Sequence, residues 1–204
     1  LEPAQVRLLG RSGEVLLPKP VTVLPALTAA VRGATVRWSD RSAPDATWWE
    51  VLVEAAVAAA AAHGLHLDQD ATHETLRRGR PLKPWQERWR ADAARAEGHL
   101  DDDPAWWLGR AWSAGYPDVV RSLTRSPRPA ADWQEWRRRA ARLERWAFGP
   151  PVSTVRRLLA LADVGLLDIT FADPSDVDHP PTIDAVIASP GIRDAQGEVP
   201  DPVW

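Results

Sequence analysis

The 204 residues contain no cysteine, no methionine and no asparagine, with lysine only at positions 19 and 83, two phenylalanines and one tyrosine. Without cysteine there are no disulfides, zinc–thiolate centres or thiol nucleophiles, which fits a reducing compartment. Redox chemistry has to come from a bound cofactor. No apolar run approaches the ~18 residues of a membrane helix, and the first residues lack the basic-then-apolar pattern of a secretion signal. A cytoplasmic protein with no membrane partner is expected. The missing methionine, with a terminus at Pro202-Val203-Trp204, adds the expectation that the chain is a fragment or a processed piece of a larger protein.

What is present in excess is tryptophan, with 12 residues, alongside a bias to Arg, Ala and Pro that a GC-rich coding sequence explains without functional content. Hydrophobic content of 45% and charged content of 26% are those of a globular chain long enough to bury a core. The net charge of −3 argues against a dedicated nucleic-acid binder. It conceals an asymmetry. Residues 121–157 carry ten arginines against Asp132, Glu135 and Glu144, whereas residues 176–204 carry six acids against Arg193. The two regions can pair with one another.

Val6 to Leu9 reads as a strand ending in the turn Gly10-Arg11-Ser12-Gly13. Pro18 to Gly33 is broken by prolines and predicts an irregular crossing with at most a short helix near 25–32. Thr47-Trp48-Trp49-Glu50 has capping-box spacing and opens an alanine-rich helix stopped at Gly64. A polar connection with one helical turn is expected from His66 to Pro84, followed by a helix carrying Trp85 and Trp89 on one face as far as Gly98. Asp103-Pro104 opens another helix, and a separate short one is expected from Pro117. Asp132 to Glu135 has capping-box spacing again, with Trp133, Trp136, Ala140, Leu143 and Ala147 on one face and arginines on the other. A helix from Pro151 to Val164, closed by Gly165, leads into the short strand "LLDITFAD", and "TIDAVIASPG" reads as a buried strand with a turn.

Few residues point to chemistry by type and spacing. His66, Asp68, Asp70, His73 and Glu74 match no zinc or calcium pattern and read as a solvated loop, so no metal is expected. Asp101-Asp102-Asp103 reads as a helix-start cluster favoured by the helix dipole. No serine, histidine and acid arrangement identifies a nucleophile, and no catalytic residue is assigned. The tryptophans read first as packing. Trp48-Trp49 and Trp106-Trp107 are the exceptions, because neighbours on a helix do not easily both face inward, so one of each pair is expected to line a cleft.

At the end of a strand in a dinucleotide-binding unit, an arginine accommodates the 2′-phosphate of NADP, which is how Arg11 and Ser12 read; an ordinary hairpin turn accounts for the same residues. "WAFGPPVSTVRRLLALADVGLLDI" followed by "IDAVIASPG", together with "LLGRSGEVLLPKP", resembles bacterial FAD/NAD(P)-binding proteins of the FAD-dependent urate hydroxylase-like family. The resemblance covers residues 6–20 and 146–191. It implies an α/β fold, mostly helical by content, in which a partial Rossmann-like dinucleotide-binding sheet carries an all-helical insertion. Residues 1–43 would be the end of an NAD(P)-binding unit, 44–148 the insertion and 149–204 the returning segment. The implied activity is a flavin-dependent oxidoreductase that passes hydride from NAD(P)H to FAD and on to oxygen or a small-molecule substrate. Gly10, Arg11, Ser12, Gly13, Ser189, Pro190 and Gly191 would approach the cofactors. The sequence departs from the family in lacking both G-x-G-x-x-G fingerprints, so it is not expected to hold FAD tightly by itself, and Ser189-Pro190 replaces smaller residues. Two other readings stand beside this one. The first is a helical protein-interaction or nucleic-acid-binding module using the arginine face of 133–146, and the second a redox-inactive relative.

Overall fold

The computed structural model describes residues 6–9, 15–22, 25, 28–31, 46–123 and 130–171. Along the chain these form β1 (Val6–Leu9), α1 (Ala46–Ala61), α2 (Gln69–Arg78), α3 (Trp85–Ala96), α4 (Pro104–Leu123), α5 (Ala130–Ala147), α6 (Val152–Asp163) and β2 (Leu167–Thr170). β1 and β2 pair in parallel, Val6 opposite Leu167 and Leu9 opposite Thr170, and make a two-stranded sheet. The described residues are therefore mostly helical. They contain no larger Rossmann-like sheet, and "TIDAVIASPG" lies outside them.

Most helices follow their sequence signals. α1 is built on alanine, buries Val51, Leu52 and Val53 in succession, and closes at Gly64, whose φ of 75° is the left-handed geometry glycine adopts without strain. It begins at Ala46, one residue ahead of Thr47. α5 begins at Ala130, ahead of Asp132, and buries Ala140, Leu143, Trp146 and Ala147. α6 ends where expected: Gly165, at φ 74°, turns the chain and Leu166 N–H donates to the Leu161 carbonyl at 2.9 Å before β2 starts.

The sequence reading is corrected in two helices. The polar stretch after His66 is a helix of 10 residues, α2, and not a loop with a single turn. Asp68 accepts the Ala71 N–H at 2.6 Å as N-cap, Asp70 sits in the first turn, Arg77 and Arg78 sit in the last, and Thr72 and Leu76 are its buried residues. With so little apolar surface the helix has almost no hydrophobic period, and its caps and charges mark it instead. Pro117 does not open a separate helix, because α4 continues through it for 20 residues. A proline inside a helix removes a backbone bond and costs about 3 kcal/mol, which α4 offsets by packing against α1, α2 and α5.

That central position also overturns the expectation that one of Trp106 and Trp107 lines a cleft. Both are fully buried, since α4 has neighbours on more than one side. The side chain of Trp48 lies outside the described residues, while Trp49 packs partly buried on the main core.

Two cores result. The larger joins α1, α2, α4 and α5 around Leu52, Leu76, Trp106, Trp107, Trp112 and Trp146. The smaller lies against β2 and is formed by Val15, Trp85, Trp89, Ala93, Val155, Leu159 and Leu167. α3 packs on α6, so part of the expected insertion lies directly on the segment that returns to the strand. Trp85 and Trp89 share one face as expected, meeting edge to face at 5.6 Å.

Candidate functional site

Parallel pairing puts the C-terminal ends of β1 and β2 at the same end of the sheet. α6 turns back at Gly165 and packs on β2, which brings its first turn to that end as well. In parallel α/β layers this is where nucleotides sit. The turn expected to meet the cofactor, Gly10, Arg11, Ser12 and Gly13, follows β1 immediately and lies outside the described residues, as do Ser189, Pro190 and Gly191.

Residues 15–21 form a strap laid across the helix ends. Leu17 N–H donates to the Arg145 carbonyl at 3.1 Å, Lys19 N–H to the Pro150 carbonyl at 2.9 Å, and Val21 N–H to the Ala96 carbonyl at 2.9 Å. The indole of Trp89 donates to the Leu16 carbonyl at 2.9 Å. Val15 lies in the smaller core and Leu17 in the larger, with Leu16 exposed between them and Pro18 buried after Leu17. At Gly149 the fit is closest: a Cβ there would lie 1.7 Å from the Leu17 carbonyl oxygen. Only glycine admits the strap, which explains the glycine of Gly149-Pro150-Pro151 by packing rather than by any ligand. Lys19 and Pro151 then form a parallel bridge.

Beneath the junction of α3 and α4 lies a buried ionic cluster that the sequence reading missed. Both nitrogens of the Arg80 fork meet Asp92, at 2.8 and 2.7 Å, and one also reaches Asp103 at 3.0 Å. Arg95 donates to Asp92 at 2.6 Å and grips Asp101 with two bonds of 2.6 and 2.7 Å. Asp92 is fully buried. Burial opposes the charge on Arg80 and on Arg95, yet the surrounding carboxylates outweigh it and raise both above the ordinary arginine value. Burial likewise opposes ionisation of Asp103, but Arg80, Arg95 and the Trp106 N–H together hold its carboxyl below the usual range. The helix-start reading of 101–103 stands, since Asp103 accepts the Trp106 N–H at 3.0 Å, and the same residues also neutralise two arginines. Asp92 and Arg95, three apart in "RADAAR", were the available signal, but Arg80 is brought in from a loop. The cluster is internally compensated, and its chemistry is that of a structural tie.

Arg110 differs. Burial pushes it down to about 10, countered only in part by the charge of Asp92, and its guanidinium donates to the carbonyls of Trp146 and Ala147 at the end of α5. It also lies 4.9 Å over the Trp106 ring. Trp49, Trp112 and Trp136 form a mutual triangle with ring centroids 6.1 to 6.5 Å apart, continued by Tyr116 and Phe148. Arg139 lies 5.4 Å over Trp49, and Arg142 donates to the Leu76 and Arg77 carbonyls at 2.8 Å. Part of the arginine face of α5 is thus turned to internal work.

His66, Asp68, Asp70, His73 and Glu74 are spread along α2 and its approach. Asp68 is a cap, and Glu74 is taken by Arg77 and Arg78. Among the described residues no group of three or more His, Asp or Glu could hold a metal ion, and no helix is long and apolar enough to cross a membrane. No protein-family model, curated protein or solved structure matches the chain.

Proposed function

We infer that the chain is part of a cytoplasmic FAD/NAD(P)-dependent oxidoreductase, in which hydride passes from NAD(P)H to flavin and on to oxygen or a small substrate. The observation that carries the reading is the union of the two sequence segments that resemble such proteins. Residues 6–20 and 146–170 meet as paired parallel strands, through the Lys19–Pro151 bridge and through the Leu17–Gly149 contact.

On this reading FAD and NAD(P) supply the redox chemistry, and the protein supplies position. Gly10 to Gly13, carried at the end of β1, would meet the adenosine end of the nicotinamide cofactor, with Arg11 suited to a 2′-phosphate. Ser189, Pro190 and Gly191 would approach a cofactor through their backbone. The glycine-rich loops that cradle pyrophosphates are not among the 204 residues, so residues outside them would hold the FAD. The helical block between the strands would shape the substrate side.

A protein that continues ahead of Leu1 through two glycine-rich fingerprints is expected to purify yellow, with flavin released on denaturation. A colourless, folded protein of that extent would overturn the reading. The arginine face of α5 gains less support as a nucleic-acid site, because Arg139 and Arg142 are engaged within the fold. Binding of an oligonucleotide that falls steeply with salt would restore that alternative.

A further inference from the structure

Buried N–H groups in folded proteins are nearly always hydrogen-bonded, so a buried donor without a partner calls for an explanation. Two such donors stand together on α4. The Trp106 indole N–H and the Arg110 Nε–H have no partner among the described residues. Four residues apart, they share one face of the helix, and the guanidinium carbon lies 4.9 Å from the Trp106 ring centroid. Trp106 is 0% and Arg110 4% exposed, so bulk water does not serve them. The far end of the Arg110 side chain is already fixed. Its Nη2 donates to the Trp146 and Ala147 carbonyls, and Gly109 admits this approach, since a Cβ there would fall 2.5 Å from the Trp146 carbonyl oxygen. Those carbonyls at the end of α5 offer partial negative charge and no full anion. Asp92 is the carboxylate whose charge reaches Arg110, but its hydrogen bonds go to Arg80 and Arg95. The ionic cluster holds one more acid than arginine, yet that excess is softened by solvent at Asp101, whose side chain is 46% exposed.

We propose that Arg110 and Trp106 form a binding site for one small inorganic anion, a halide such as chloride, held between the Arg110 Nε–H and the Trp106 indole N–H. Charge selects an anion over a water, because a water would satisfy both donors and leave the buried arginine without a counter-charge. Burial selects the size. A nucleotide phosphate or a substrate carboxylate would have to carry the rest of its molecule into the core, whereas a monatomic ion needs little more room than a water. Once bound, the anion neutralises the arginine that ties α4 to the end of α5. The proposal is independent of the flavin reading and survives or fails without it.

The test uses the full 204-residue chain. At constant ionic strength, replacing gluconate by chloride is expected to raise the melting temperature saturably, by about 3–6 °C at ten times the half-saturating concentration. Bromide should act alike, and its anomalous scattering in a crystal should give a peak within hydrogen-bonding reach of both Arg110 Nε and Trp106 Nε1. Trp106→Phe keeps a ring beneath the guanidinium and removes the N–H, so it should raise the half-saturating chloride concentration about tenfold or more. Equal melting temperatures in gluconate and chloride, or a chloride response that Trp106→Phe leaves unchanged, would overturn the proposal. So would bromide bound elsewhere with an ordinary water serving this pair. If Trp106→Phe does not fold, the position of bromide in the unaltered chain decides.

Discussion

At the scale of single residues, space and charge decide more than residue type. Gly149 and Gly98 illustrate the difference. A Cβ at Gly149 would fall on the Leu17 carbonyl, whereas one at Gly98 meets nothing within 4 Å but needs φ near 106°. Gly149→Ala is expected to cost about 3 kcal/mol or more, seen as a lower melting temperature and faster amide exchange at Leu17 and Lys19, while Gly98→Ala costs about 1 kcal/mol. Equal losses would contradict the assignment of the strap. In the ionic cluster, Asp92→Asn leaves Arg80 and Arg95 buried beside a neutral amide, and a loss of about 3–5 kcal/mol in denaturant unfolding is expected. Asp103 sets a pH dependence. Its folded carboxyl binds a proton more weakly than the unfolded one, so its contribution is complete above the unfolded value near 3.8 and is lost as the pH falls through the lower folded value. Asp103→Asn should therefore flatten the acid limb of a stability profile below about pH 4 and leave the slope between pH 5 and 8 unchanged.

At the scale of elements, legibility followed the source of each element's stability. α1, α3 and α6 were readable because alanine propensity, a proline at the start and a glycine at the stop act locally. α2 was not, because Thr72 and Leu76 are its buried residues and the Asp68 cap was read as loop chemistry. Asp68→Ala should cost about 1 kcal/mol and fray the first turn, measured by exchange of the Ala71 and Thr72 amides. Pro117 was misread for the opposite reason: the local rule is sound, but packing on several sides overrides it. Pro117→Ala should then raise stability by about 1–3 kcal/mol, since the helix is already formed and regains a backbone bond. A neutral or destabilising result would mean that the proline is required where it stands. The same surroundings explain Trp106 and Trp107, whose paired burial no argument from one isolated helix could have given.

At the scale of the whole molecule, the mostly helical content was legible in the sequence. Strand patterns at 6–9 and 167–170 and helical patterns between them were visible because each has a short period. The ionic cluster was not visible, because Arg80 comes from the loop before α3, Asp92 and Arg95 from α3, and Asp103 from the start of α4, and only the folded chain brings them together. The residues assigned to cofactor contact lie outside the described residues, so the functional reading rests on β1, β2 and the described segments around them. Those segments make one joined unit of strap, α6 and strand pair.

The parallel register of β1 against β2 is what everything else in the nucleotide reading depends on, and a cysteine pair tests it directly. Arg7 and Asp168 are partners across the strands, whereas Leu8 is partnered with Ile169. In a chain with no cysteine of its own, Arg7→Cys with Asp168→Cys should close an intramolecular disulfide on mild oxidation with the melting temperature kept, and Leu8→Cys with Asp168→Cys should not. Failure of the first pair to close, or equal closure of both, would contradict the pairing and the nucleotide-binding proposal that rests on it.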